Sequence, residues 1–140
     1  MSRNKYSNKK VTVDGHKFDS KREARYYQHL KLLERAGEIQ GFILQPRYIL
    51  QESFKKYGKT HRKIEYVADF EVYLNDGSTE VIDVKGMITK DFAIKRKLFD
   101  KKYSMPLKLM TYDQRFGGWI ELEELNKLKK PNNNYKKLAR

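Results

Sequence analysis

From Ile64 to Leu74, in IEYVADFEVYL, every second side chain is apolar and those between are polar but for Val67 and the amphipathic Tyr73. Successive side chains of a strand leave opposite faces, so a run of this length dictates a half-buried β-strand. Ile64, Tyr66, Ala68, Phe70, Val72 and Leu74 make the packed face; Glu65, Val67, Asp69, Glu71 and Tyr73 make the other. The turn signal NDGS at 75–78 follows, and TEVIDVKG continues beyond it as a further strand. Strands joined by so tight a turn are neighbours in a sheet.

The other segments arrange themselves around this pair. RYILQESF at 47–54 reads as a preceding antiparallel strand, joined to it by the basic loop KKYGKTHRK with Gly58 at its turn. Upstream, VTVDGHKF at 11–18 carries an Asp-Gly hairpin signal. DSKREARYYQHLKLLERAG then predicts a helix, with Asp19 or Ser20 as cap, Glu23 in the first turn and Gly37 at the end. Its apolar stripe is Tyr26, Tyr27, Leu30 and Leu33, and Glu23 lies three and four residues before it, on the core-facing side. A capping carboxylate stabilised by the helix dipole accounts for Glu23 equally well at this point. TKDFAIKRKLFDKKY predicts a basic helix capped by Thr89, LKLMTY a fourth strand, and ELEELNKLKK a last helix.

A helix between the third and fourth strands makes those two parallel, because a parallel pair needs a long crossover. The expectation is one α/β domain with a mixed sheet over residues 11–128, in the order helix, three strands, helix, strand. Basic arms flank it at 1–10 and 129–140, the second broken by Pro131 and an Asn run.

Composition narrows the chemistry. Cysteine is absent, and His16, His29 and His61 are scattered without ligand spacing, so any metal must be held by carboxylates, which favours magnesium. Lys and Arg outnumber Asp and Glu by 31 to 18, a net charge of +13, and such an excess marks a polyanionic partner. Nucleic acid leads and an anionic membrane surface comes second. No apolar run approaches a membrane span, and the polar, basic start lacks a signal-peptide core; a cytoplasmic protein is expected.

VIDVKG, at 81–86, places an acid and a base on one face of an apolar strand. Asp69 on the neighbouring strand can come opposite or diagonal to Asp83, and like charges so close call for a cation between them. Two carboxylates, with the Val84 carbonyl as a further ligand, make a partial oxygen cage that waters complete. A water whose pKa the ion lowers can attack a phosphodiester. Lys85 can orient that water, help deprotonate it or stabilise developing charge, and Glu23 can hold a second metal or an outer water. Acid-x-Lys triplets also occur at Asp19-Ser20-Lys21 and Asp100-Lys101-Lys102, and only the middle one lies in an apolar strand that ends in Gly. A same-face ion pair on an exposed sheet is its plain structural explanation.

Glu23 on the first helix, Ala68-Asp69 on the second strand and Asp83-Val84-Lys85 on the third resemble the PD-(D/E)XK nuclease superfamily, over about residues 18–112. FDSKREARYYQHL, QPRY, YVADF and DVKG look like its small phage-encoded branch, similar in size to Holliday junction resolvases. The resemblance implies a restriction-endonuclease-like αβββαβ core and magnesium-dependent phosphodiester hydrolysis, with manganese able to substitute. It implies Asp69 and Asp83 as metal ligands, Lys85 as the catalytic lysine and Glu23 as the helix-borne carboxylate. Ala68 replaces the motif's proline, which is not a ligand. Gln45 either contacts the site or ends the loop before the first strand.

The implied substrate is branched or structured DNA in phage recombination, replication or packaging. Lys55, Lys56, Lys59, Arg62 and Lys63 of the basic loop, and Lys95, Arg96 and Lys97 of the basic helix, are candidate phosphate contacts with Tyr57 and Phe92 as aromatic neighbours. Two coordinated incisions need two sites, so a homodimer is expected, with Ile88, Trp119 and Ile120 as interface candidates. The alternatives are a non-catalytic nucleic-acid-binding protein and a general nicking or restriction-type nuclease.

Overall fold

The computed structural model describes residues 9–129; the expected arms therefore lie, but for residues 9, 10 and 129, outside the described residues. Strands β1 (Val11–Val13) and β2 (His16–Phe18) form the expected hairpin. Helix α1 (Lys21–Arg35) starts where the Ser20 hydroxyl accepts the Glu23 N–H at 3.0 Å. It stops at Gly37, whose φ of 76° lets the Glu38 N–H reach the Leu33 carbonyl at 2.9 Å and the Gly37 N–H reach Glu34 at 3.1 Å. That pair of bonds satisfies carbonyls the helix end would otherwise leave open.

Strands β3 (Ile39–Leu44), β4 (Arg47–Gln51), β5 (Phe54–Lys56), β6 (Lys59–His61), β7 (Ile64–Val67), β8 (Phe70–Leu74) and β9 (Thr79–Val84) follow. Helix α2 (Lys90–Lys102), β10 (Leu107–Asp113), a 3-10 turn at Gln114–Phe116, β11 (Gly118–Glu121) and α3 (Leu122–Lys129) complete the described chain. The central sheet runs β11-β10-β9-β8-β3, with β9 and β10 parallel and every other pair antiparallel. The molecule is thus an α/β domain with a mixed sheet and three helices, and α2 is the expected crossover between the parallel strands.

Two cores lie on opposite faces of this sheet, as the alternation of β9 requires. Val81 packs with Leu107 and Leu109, with Phe92 and Phe99 of α2, and with Tyr48, Tyr66 and Ala68 of the β4–β7 ribbon. Ile82 packs with Phe70 and Val72 and with Tyr26, Tyr27 and Leu30 of α1. Phe99 and Phe70, both wholly buried, anchor the two sides. Each such ring contributes about 2–3 kcal/mol through the area it removes from water.

Three expectations need correction. The run 64–74 is two strands, broken at Ala68-Asp69. There the Gln45 N–H donates to the Asp69 carbonyl (2.9 Å) and the Ala68 N–H to the Pro46 carbonyl (3.1 Å), so the chain passes from the ribbon into the central sheet. The alternation survives because both halves are half-buried, but Tyr66 and Ala68 face one core and Phe70 and Val72 the other. Secondly, residues 47–51 pair with β7 alone; the neighbour of β8 in the central sheet is β3, whose IQGFIL sequence has no clean alternation and carries an irregularity between Ile39 and Gly41. Lastly, Trp119 has a core role: it lies in β11 and meets Tyr26 edge-on at 4.9 Å. Ile120 is half-buried, and of the three interface candidates only Ile88 is exposed.

Candidate active site

Asp83 occupies β9 between β8 and β10, the most enclosed position the sheet offers, and its side chain is only 6% exposed. The Tyr66 hydroxyl donates to its Oδ2 at 2.6 Å, and Lys85 Nζ stands 3.5 Å from the same oxygen. Lys85, two residues on, leaves the same face of the strand and rests its ammonium 4.7 Å from the centre of the Phe92 ring on α2. Burial and the Asp83 carboxylate push the Tyr66 phenol far up, so it stays a donor at all ordinary pH.

Asp69 sits at the strand break, where its side chain is free of both ladders. Its Oδ2 accepts the Val84 N–H at 2.8 Å, which ties the break to the end of β9. Burial first, then repulsion from and hydrogen bonding to Asp83, then the charge of Glu23, hold the Asp69 carboxyl well above the carboxylate range; the Val84 N–H only partly offsets this. Glu23 is buried on the first turn of α1, and its pKa rises to about 7 through burial and the charges of Asp19 and Asp83, against the Asp19 backbone and Lys85. Glu23, Asp69, Asp83 and Lys85 are therefore brought into one electrostatic neighbourhood. Val84 lies among them with its N–H on Asp69 and its side chain against the α1-side core.

A cavity of about 300 Å³ opens onto two of these acids, lined by Gly15, His16, Lys17, Phe18, Glu23, Leu44, Gln45 and Asp69. Gln45, held at φ 49°, follows the last residue of β3 and lines the cavity. The hairpin wall was not foreseen. Neither was Tyr66, although a tyrosine on a packed face always needs a partner for its hydroxyl. Arg22, next to Glu23, lies over Gly86: a Cβ there would stand 2.6 Å from its guanidinium.

The basic candidates divide. Lys55, Lys56, Lys59, Arg62 and Lys63 all lie exposed on or beside the β5–β6 hairpin, with Lys63 3.6 Å from Glu65. On α2, Lys97 is exposed, Lys95 is 3.9 Å from Asp91, and Arg96 is engaged by Glu123.

Among the described residues no three His, Cys, Asp or Glu side chains are gathered into a ready-made metal cage. The donors that do converge are carboxyl oxygens, the class a hard divalent cation takes, and Asp69 and Asp83 each have only Oδ2 engaged by a protein donor. Burial and the neighbouring Asp83 favour the protonated form of Asp69, and a cation can take the place of that proton. No helix among the described residues is long and apolar enough to cross a membrane.

A comparison with curated proteins finds no match. With residues 3–117 matched, all four candidate site residues among them, the chain belongs to the family described as protein of unknown function (DUF1064).

Proposed function

We propose that this chain is a metal-dependent DNA endonuclease of the PD-(D/E)XK kind, acting on branched or structured DNA as a homodimer. The observation that carries the proposal is the convergence of Asp69, Asp83 and Lys85 at the end of β9, where burial first and then the neighbouring Asp83 hold the Asp69 carboxyl well above the carboxylate range. A fold seldom buries such a pair without a ligand that relieves it. The order α1, β3, β8, β9, α2, β10 supports a restriction-endonuclease-like core, with β3 in the place of its first strand.

Asp69 and Asp83, with the Val84 carbonyl, would hold Mg²⁺ or Mn²⁺, and Glu23 would add a second ligand or an outer contact. The ion, when bound, supplies charge neutralisation and a more acidic water. Tyr66 keeps Asp83 in one orientation by donating to Oδ2. Lys85, fixed between Asp83 and the Phe92 ring, presents a cation to the attacking water or the phosphate. The basic hairpin and Lys97 grip the backbone, and the charge of +13 draws the polyanion in.

Incubation of plasmid and four-way junction DNA with the protein in magnesium, manganese or EDTA tests this. Strand scission in either metal and none in EDTA is expected, with 5′-phosphate and 3′-hydroxyl ends. Tight binding without scission in any metal would instead establish a non-catalytic nucleic-acid-binding protein.

A further inference from the structure

Two hairpin turns in this chain share one backbone shape and differ in sequence. Asp14 and Gly15 between β1 and β2 have φ 52° and 80°, and Tyr57 and Gly58 between β5 and β6 have φ 51° and 73°. Both turns are closed alike, by Val13 opposite His16 and by Lys56 opposite Lys59. Such two-residue turns favour Asn, Asp or Gly at the first position, where the backbone is left-handed and a bulky side chain is strained. Asp14 fits that preference and also accepts a hydrogen bond from the Tyr27 hydroxyl at 3.0 Å. Tyr57 does not fit it.

Nor does packing explain Tyr57, which is 96% exposed at the tip. The hairpin beneath it is built to hold the ring out. Its strands pair only with each other, and the Phe54 and His61 rings stack across them at 4.7 Å. Residues 54–63 contain Lys55, Lys56, Lys59, Arg62 and Lys63 and no acid. Lys56 Nζ lies 5.6 Å from the Tyr57 ring centre. A strained, solvent-facing aromatic crowned by cations has a use only against a partner that offers both phosphates and a flat π-face.

We propose that the β5–β6 hairpin is a DNA wedge: its cations hold backbone phosphates while Tyr57 stacks on a base that is unpaired or unstacked at a branch point. The proposal rests on the nuclease reading above and names the DNA feature that the protein selects. Phosphate contacts are open to the cations on linear and branched DNA alike, and they position the protein without reading bases. A stacking ring needs an open base face, which an intact duplex hides and a branch exposes.

The test uses the full chain in EDTA, so that nothing is cut, with Tyr57→Asn and Tyr57→Trp. Asn suits the left-handed turn, so Tyr57→Asn should melt no lower than wild type and loss of fold will not confuse the result. Binding is measured to linear duplex and to a four-way junction carrying 2-aminopurine at the branch. Tyr57→Asn should weaken junction binding by about tenfold and abolish the 2-aminopurine response, with linear affinity and salt slope unchanged. Tyr57→Trp should restore both. Equal weakening on the two DNAs, or none on either, would overturn the wedge, as would Tyr57-dependent binding to phosphatidylserine vesicles with no effect on the junction. Scission in magnesium is scored separately. Tyr57-dependent junction binding by a protein that never cuts leaves the wedge standing and sinks the nuclease; cutting with Tyr57-independent binding does the reverse.

Discussion

Glu23 and Asp69 keep protons that the same groups lose in an unfolded chain. For Glu23 the ordinary pKa of 4.5 rises to about 7 on folding, so across that window the unfolded chain releases a proton that the folded chain retains. The contribution of these two groups to metal-free stability therefore falls as pH rises from about 4.5 through about 7, with Asp69, raised by burial and by Asp83, carrying the decline to higher pH, while His29, whose pKa burial lowers, contributes in the opposite sense. Thermal melting in EDTA between pH 5 and 8 should show the decline, and Mg²⁺ at pH 8 should reverse it; a flat or rising profile would contradict the strain assigned to this pair. Asp83→Asn keeps an oxygen for the Tyr66 hydroxyl and removes one of the repelling charges, so without metal it should melt at or above wild type at pH 8. A marked drop would show that the contact with Lys85 outweighs the repulsion. Lys85→Ala removes one cation among the 31 Lys and Arg of the chain. Affinity should change little while the cleavage rate falls by at least about a hundredfold; a parallel fall in both would reduce Lys85 to a phosphate ligand. Asp83 and Lys85 were legible in the sequence because a two-residue spacing puts them on one strand face, and Asp69 because the tight NDGS turn brings its segment beside theirs. Tyr66 was not, since a tyrosine on a packed face looks like any core aromatic until its hydroxyl is seen on Asp83.

The pairing of β9 with β8 and, in parallel, with β10 follows from the sequence, whereas the pairing around Asp69 does not. Alternation reports burial on one side and is blind to which sheet does the burying, so IEYVADFEVYL concealed the break at Ala68-Asp69 that frees the Asp69 side chain. The strand β3 was missed because Gly41 and an irregular register erase its alternation. Caps and turns were more legible, since Ser20, Thr89 and the Asp14-Gly15 turn act through local hydrogen bonds and backbone sterics alone. The basic loop proved to be an independent hairpin, with its cations exposed around one turn. Replacing Lys55, Lys56, Arg62 and Lys63 together with Ala should flatten the dependence of log affinity on log salt by up to about 3.6, at about 0.9 for each phosphate left without its cation. An unchanged slope would remove this hairpin from the DNA interface.

A charge of +13 on 140 residues keeps copies of this chain apart unless a polyanion draws them together. On the proposed nuclease reading, one set of converging acids would cut one strand, so paired incision would require a second subunit. Sedimentation in the presence of a four-way junction should show two chains per junction; a single chain at saturation would leave a nicking enzyme. Helix order, crossover and charge were all open to a reading of the sequence, whereas the exposure of single aromatics was not: Trp119, an interface candidate on the sequence, packs against Tyr26. Whether the acids at the end of β9 do chemistry decides between a nuclease and a binding protein. Single-turnover scission of a labelled four-way junction in magnesium, by wild type and Asp83→Asn at protein concentrations that saturate binding, decides it. Equal binding with scission by the wild type alone is the predicted result, and scission by Asp83→Asn at near the wild-type rate would contradict it.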